Sequence, residues 1–479
     1  MSKVTKPITP SPDINTVTSD ALNRSMSVWH SFTLGFAVVS PVVGLYAIIG
    51  VQTNVTGGGW FAALAICLVM QLLVATVYAE LSSQFPIAGG AYKWARQLGG
   101  TVAGQYAGVI YICSTIAMLT TTAYTGGFWL ATFCGLQSND GGMMVLWGAI
   151  FLFLCTLLNL AHVSVFQFVI KSGVYAEVVG SLGIALLLIV FFRQHSLLEL
   201  FQHMGTGTAP TETAAFLAAL AIAGWAFIGF DACSTTAEET HNPKRMVPRA
   251  VFLSLLVVGT VVLFNSASLI LAFDHDTLRN ASSTSDPVTP LITSSIGDWF
   301  EKPFLAIVMT AFLACGASVV KYTSRIVYSM AREGNMPALL SQVTASKTPR
   351  NAILFTVLLA GCGLIFGLNG DAVATIIAFG TGGLYAMFAF TTGIGLFARL
   401  TDRWNPALGE LKLGAWGLVI NSLAFIWSLF ELINIAWPRS YAISADAPWW
   451  QLWATPLVLG SLLTITTLYI FCKKWMSAK

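Results

Sequence analysis

Charge is what this chain has least of. Of its 479 residues, 9% are Asp, Glu, Lys or Arg, against roughly 25% in a soluble domain. That scarcity excludes a water-solvated globule and points to a chain largely in lipid. The net charge of +3 is small. With no polybasic run and no aromatic-basic platform, it gives no reason to expect a nucleic-acid partner. No His-Glu-x-x-His run occurs, and the six histidines do not cluster at ligand spacing, so no metal is expected. No Gly-x-x-x-x-Gly-Lys-Ser/Thr loop exists. Gly57-Gly58-Gly59 and Gly380-x-Gly382-Gly383 lack the basic partners of a phosphate cradle. No nucleophile–base set is visible, so neither an enzyme nor a cofactor is implied. The eight cysteines fall nearly all inside apolar segments, with Cys134 closest to the surface. They read as reduced packing residues rather than a disulfide framework. Residues 1–28 are rich in Pro, Ser and Thr and lack an apolar core before a small-residue cleavage site. A disordered cytosolic tail is expected there.

Apolar residues are abundant: 56% of the chain, with a mean hydropathy of +0.74. A membrane span needs roughly 20 mostly apolar residues. About twelve segments qualify, at 31–54, 60–83, 101–133, 143–161, 165–192, 213–236, 250–273, 303–328, 352–369, 371–398, 414–436 and 451–472. The third and tenth are long enough to tilt. The expectation is an all-α membrane protein.

The basic residues orient these spans. Loops after even-numbered spans hold Lys93, Arg96, Lys171, Lys244, Arg245, Arg249, Arg332, Lys347, Arg350, Arg399, Arg403 and Lys412. The opposite side holds only Arg193, Arg279, Lys302 and Arg439, and collects acids from Asp140 to Asp446. The positive-inside rule then puts both termini in the cytosol, in a plasma membrane or bacterial inner membrane. Spans one to five (29–192) and six to ten (213–398) start on opposite sides, as an inverted repeat requires. Spans eleven and twelve (414–472) lie outside the repeat, open to packing or homodimer contacts, and 473–479 form a second cytosolic tail.

Two spans carry breakers at mid-membrane. Span one reads Gly35-Phe36-Ala37-Val38-Val39-Ser40-Pro41-Val42-Val43-Gly44, and span six reads Gly224-Trp225-Ala226-Phe227-Ile228-Gly229-Phe230-Asp231. Non-helical backbone at that depth is tolerated where it lines a cavity or is buried in protein. Broken helices at corresponding places in two halves point to the substrate site of a secondary transporter. An opening between Ser40 and Gly44 would free N–H groups suited to a carboxylate; a plain proline kink is the alternative. Around Trp225–Ile228, freed carbonyls suit a substrate ammonium, and Trp225 and Phe227 offer faces to a cation. Asp231 is an acid in an apolar span, costing roughly 2.5–3.5 kcal/mol on insertion scales. It either contacts substrate or holds freed backbone N–H groups in place.

The run Trp225–Asp231, then Ser234-Thr235-Thr236-Ala237-Glu238-Glu239-Thr240 and Asn242-Pro243-Lys244-Arg245-Met246-Val247-Pro248-Arg249-Ala250, resembles the amino acid–polyamine–organocation (APC) superfamily. So do Ala79-Glu80-Leu81-Ser82-Ser83-Gln84-Phe85-Pro86 with Ala88-Gly89-Gly90-Ala91-Tyr92, and the run from Ser324-Arg325 through Arg332-Glu333-Gly334 to Pro337. The resemblance covers about residues 30 to 470. It implies the five-plus-five inverted-repeat fold of sodium-coupled amine transporters. It also implies a substrate carboxylate at Val42-Val43-Gly44 near Ser40, and a substrate amine at Trp225 and Ile228, with Asp231 one turn on. Val42 and Val43 replace small residues there, which is closer to the amino acid/choline branch.

Coupling and gating are the remaining readings. Glu177 of span five and Lys321 of span eight both lie in apolar surroundings. An ion pair between them could fill the place of a coupling cation, giving proton-linked, sodium-independent transport or exchange. Equally, it could be a static packing pair. Glu80, Arg325 and Arg332 either pair across an inner gate or simply mark the interface. Glu238-Glu239 and Lys244-Arg245 read as a solvated loop. Tyr106, Tyr124, Phe379 and Tyr385 could line or gate the path, though aromatics in packed spans are usually core. The expected protein moves an amino acid or related zwitterionic amine by alternating access. Alternatives are an amino acid/amine exchanger, a choline, polyamine or GABA permease, or a sensor that binds without transport.

Overall fold

The structure is a computed structural model that describes residues 26–57, 59–136, 140–201, 207–282, 286–368, 370–401, 403–442 and 448–477. Among these, twelve helices are long and apolar enough to cross a membrane: Val28–Tyr46, Phe61–Gln84, Ala91–Phe133, Gly141–Leu160, Val163–Phe191, Glu212–Thr235, Pro243–Ala272, Asp298–Arg332, Arg350–Leu368, Thr375–Leu400, Trp416–Ala436 and Ala454–Cys472. They are called spans one to twelve. Ser27 opens span one with a capping box, its side chain accepting from His30 N while the His30 ring faces the Ser27 N–H. Asp140 caps span four by accepting from Met143 N at 3.0 Å.

Burial sorts the spans. The most apolar stretches of spans one and eight are 72% buried, whereas that of span twelve is 17% buried. The first two are therefore central and the last is peripheral. Span one packs against spans seven, eight and five, and span six against spans two, seven, eight, ten and eleven. Leu146, Phe153, Phe168, Val179, Leu358, Phe366, Ile426 and Ile433 of the outer spans stay exposed. A continuous apolar surface of this kind is stable only against lipid.

Several helices outrun the apolar stretches expected of them. Span three begins at Ala91 rather than 101, and Gly100 (φ 87°, ψ 179°) breaks it after the first nine residues. Its length thus reflects a kinked lead-in as well as any tilt. Span seven begins at Pro243 rather than 250, and span eight runs on to Arg332. Lys93, Arg96, Lys244, Arg245, Arg249 and Arg332, expected in loops, therefore sit on helix ends. Hydropathy marks only the lipid-immersed part of a helix, and charged residues are good helix formers beyond it. The last helix reaches Ser477, so most of the tail expected at 473–479 is helical. At the other end Met26 is buried and pairs with residue 240 through a backbone bridge. The rest of the expected tail, 1–25, lies outside the described residues.

Candidate functional site: the paired breaks of spans one and six

Span one breaks at a single residue. The half-helix Val28–Val39 ends at Ser40, which holds φ 45°, ψ 113°, and a second half-helix restarts at Pro41. Proline suits the first helical position because its missing N–H would be unpaired there anyway. Positive φ at a serine costs about 1–3 kcal/mol and persists only where the surroundings impose it. Here Ser40 Oγ donates to Glu177 Oε2 at 2.7 Å and accepts from Val43 N at 3.2 Å. Val42 N also points at Glu177 Oε2, at 3.4 Å. The carboxylate of span five thus lies where the sequence places a substrate carboxylate. Glu177 is fully buried, and its Oε1 has no hydrogen-bond partner.

Span six opens more widely. The helix Glu212–Ala223 tightens into a 3-10 turn over Gly224–Phe227, becomes extended at Ile228, and turns through Gly229 at φ 90°. The two breaks face each other closely. A Cβ on Gly229 would lie 2.6 Å from Val38 Cγ1, and one on Gly44 would lie 3.3 Å from the Ala226 Cα. Gly229 therefore answers both a backbone need and a packing need. The Tyr385 ring of span ten packs beside Gly224, and its hydroxyl meets the Cys67 thiol at 3.6 Å.

Asp231 closes the break from below. It does not hold freed backbone N–H groups through a side-chain cap. Its Oδ2 accepts instead from the hydroxyls of Tyr111 of span three and Tyr322 of span eight, the latter at 2.9 Å. The two rings meet edge to face, 5.7 Å apart. Oδ1 is buried and unpartnered. Beyond Asp231 an aromatic block fills the interior: Phe230 stacks on Phe388 at 5.3 Å, and Tyr78 meets both.

A cavity of about 160 Å³ enters from the face opposite the basic residues, lined by Ala47, Ile48, Ile222, Trp225, Thr381 and Arg439 among others. Of the eight substrate-site residues expected from sequence, Trp225 alone lines it. Ser40, Val42, Val43, Gly44, Phe227, Ile228 and Asp231 are buried and do not.

The basic face is closed by ion pairs. Arg325 Nε donates to Glu239 Oε1 at 2.7 Å, and Lys321 Nζ lies 3.0 Å from Glu239 Oε2. Arg332 forks onto Glu238 at 2.7 and 2.8 Å. Glu333 takes Lys93, Arg96 and the Tyr92 hydroxyl. Glu80 pairs with Arg399 of span ten and accepts from Leu413 N at 2.9 Å. Burial alone would raise the Glu239 carboxyl, but the charges of Arg325 and Lys321 outweigh it and hold it down to about 2. The same contest, against Arg332 for Glu238 and against Lys93 for Glu333, leaves both below the usual carboxylate range.

These pairings correct three expectations. Glu177 and Lys321 form no ion pair. Lys321 touches Met26 at 3.7 Å, at the start of span one, whereas Glu177 touches Ser40. The twelve-residue half-helix Val28–Val39 separates those points, a distance of roughly 18 Å. Glu238 and Glu239 are not a solvated face, because Glu239 is buried, Glu238 is half-buried, and each pairs with an arginine of span eight. Glu80, Arg325 and Arg332 are not partners of one another but join three separate pairs. The signal was available: Lys321 and Arg325 stand one turn apart on an apolar helix, and a buried cation requires a counter-charge.

Sequence reasoning also missed Glu431 of span eleven. It is fully buried, accepts from Asn434 Nδ2 at 3.2 Å, and leaves Oε1 unpartnered. Gln71 of span two, whose Oε1 accepts from Trp427 of the same span eleven, leaves its Nε2 unpartnered. Tyr106 reaches Thr467 of span twelve rather than the interior.

The chain matches the amino acid permease family over residues 27–462, and it belongs to that family. It is 25% identical to the amino-acid permease BAT1 of Arabidopsis thaliana, covering 94% of this chain and 91% of that one. It is 23% identical to a choline transporter of Saccharomyces cerevisiae, over 89% and 78%. It is 24% identical to the low-affinity putrescine importer PlaP of Escherichia coli, over 87% and 93%. The chain is a multi-pass membrane transporter of amino acids or amines, not an enzyme.

Proposed function

We propose that this member of the amino acid permease family carries an amino acid across the bilayer by alternating access, driven by protons and independent of sodium. Spans one to five and six to ten are taken as an inverted pair, with both termini in the cytosol. The observation that carries the reading is the Glu177 carboxylate on the span-one break, bound to Ser40 Oγ and facing Val42 N. While it is ionised, a substrate carboxylate meets both a like charge and occupied donors. A proton on Glu177 removes the charge and frees the Val42 N–H. The substrate carboxylate then takes the half-helix start, and its ammonium takes the carbonyls around Trp225–Ile228. Proton and substrate are thus bound together because each makes room for the other. With the basic face closed by the Glu238, Glu239 and Glu333 pairs, the cavity beside Trp225 is the approach this reading assigns to substrate.

A second reading has its own support. Glu177 Oε1 and Asp231 Oδ1 are two buried acceptors without partners, one at each break. Such a pair suits an organic cation that brings no carboxylate of its own, as putrescine and choline do.

Uptake by purified protein in liposomes tests both. A panel of labelled amino acids with GABA, choline and putrescine is offered under a proton or a sodium gradient separately. Proton-driven uptake of an amino acid, with pH dependence lost in Glu177→Gln while exchange persists, is the expected result. Uptake that requires sodium, or a Glu177→Gln variant with the parent's pH profile, would sink the coupling scheme. Preference for putrescine or choline would favour the second reading.

A further inference from the structure

The cavity that reaches Trp225 is not alone among the described residues. A cleft of about 740 Å³ lies at the basic face, between the end of span two, the start of span seven and the connection from span ten to span eleven. Its walls carry Lys244, Arg245 and Arg249, with one carboxylate, Glu410, against the three cations. Arg245 and Arg249 stand one helical turn apart on span seven, so their guanidinium groups share a face. Both are exposed, and neither makes a side-chain hydrogen bond or ion pair with another described residue. Beyond Arg249 the same face continues as Phe252 and Leu253, and Leu411 and Leu413 face it from the connection. Charge at the aqueous end thus gives way to an apolar surface toward the bilayer.

The cleft is built rather than incidental. Ser83 Oγ accepts from Glu410 N and Leu411 N at 2.9 and 3.0 Å and donates to the Lys244 carbonyl at 2.9 Å. Lys244 Nζ donates to the Leu408 carbonyl at 3.1 Å. Gly409 packs so tightly on span two that a Cβ would lie 2.9 Å from Gln84 Cγ. One serine and one lysine therefore fix the connection against both spans, with the two arginines left unpaired at its edge.

We propose that this cleft binds the headgroup and upper acyl chains of an anionic phospholipid of the inner leaflet. The phosphodiester satisfies Arg245 and Arg249, whose planar forks match it. The acyl carbons cover Phe252, Leu253 and Leu411. Free phosphate offers only the first half of that fit. Occupancy braces the connection whose Leu413 N–H holds Glu80, the partner of Arg399 of span ten. The lipid thereby steadies the closed basic face.

The test uses the full chain purified in detergent. Thermal stability and lipid retention in native mass spectrometry are measured with phosphatidylglycerol, phosphatidylcholine or inorganic phosphate. Phosphatidylglycerol is expected to be retained and to raise the melting temperature by several degrees, the other two having little effect. Arg245→Gln/Arg249→Gln is expected to bind it roughly thirtyfold more weakly, at about 1 kcal/mol per basic residue. Leu411→Trp keeps every charge and fills the cleft, and it too is expected to lose the lipid. Equal stabilisation by phosphatidylcholine, or undiminished phosphatidylglycerol binding in both variants, would overturn the proposal. Stabilisation by phosphate alone would replace the lipid with a soluble anion and overturn it as well.

Discussion

Asp231 gives up its water and recovers hydrogen bonds from two tyrosines on two other spans. The sequence marked it as anomalous, because an acid in an apolar run always needs a reason. It did not give that reason: Tyr111 stands 120 positions before it and Tyr322 91 positions after. One residue can be read locally, but a contact between three spans cannot. Removing the carboxyl in Asp231→Ala leaves two buried hydroxyls without their acceptor. Each such loss costs about 1–3 kcal/mol, so a marked fall in thermal stability is expected. Asp231→Asn keeps one acceptor oxygen, which can take the place of Oδ2 toward both hydroxyls, and it should recover most of that loss. Equal destabilisation in the two variants would mean that the charge, rather than the hydrogen bonds, joins spans three, six and eight. Ser40 illustrates the same limit. Pro41 foretold a break, but only the structure places the distortion on the residue before it and Glu177 behind it.

At the scale of elements, the twelve spans were legible because each is an apolar run of bilayer length. Their ends were not, since helices continue past the lipid into charged sequence. That overrun brings Lys93, Arg332 and Glu333 together, and it conceals the closure of the basic face from a loop-by-loop reading. The closure rests on carboxylates whose pKa values are depressed in the fold. Such groups stabilise above their unfolded value, about 4.3 for glutamate, and the gain is lost as pH falls through the folded value. For Glu239 that value is about 2, so the window of loss runs from about 4 downward. These carboxylates should therefore stay ionised between about pH 5.5 and 8, which removes them as the proton sensor in that range. Glu239→Gln leaves Lys321 and Arg325 buried with one weak partner. Breaking a buried pair costs about 3–5 kcal/mol, and opening of the basic face relieves it. Cys233, buried beside Gly35, reports that opening. Its alkylation by a small maleimide should speed up at least tenfold in Glu239→Gln and stay slow in the parent across that pH range. Slow labelling in the variant would show that the aromatic block of Tyr78, Phe230 and Phe388 closes this face without help.

For the whole molecule, the ion pairs and the cavity make one statement about direction. Charges of opposite sign hold spans three, six and eight together at the basic face, while the space beside Trp225 opens at the other. The orientation proposed above puts the basic face in the cytosol, since cytosolic loops keep the positive charge. Under that proposed orientation the arrangement would suit a transporter waiting for substrate from outside. Val51 lines the cavity, and 40% of its surface is exposed. A Val51→Cys variant, with native Cys134 replaced by serine because it too is exposed on that side, should react with a membrane-impermeant maleimide added to intact cells. Saturating transported substrate should slow that reaction, because closure of the outer half over bound substrate removes the cavity. Labelling only after the cells are opened would invert the orientation. Labelling from outside that substrate leaves unchanged would keep the orientation but detach the cavity from the transport path, leaving the buried donors of Val42 and Val43 to be reached by another route.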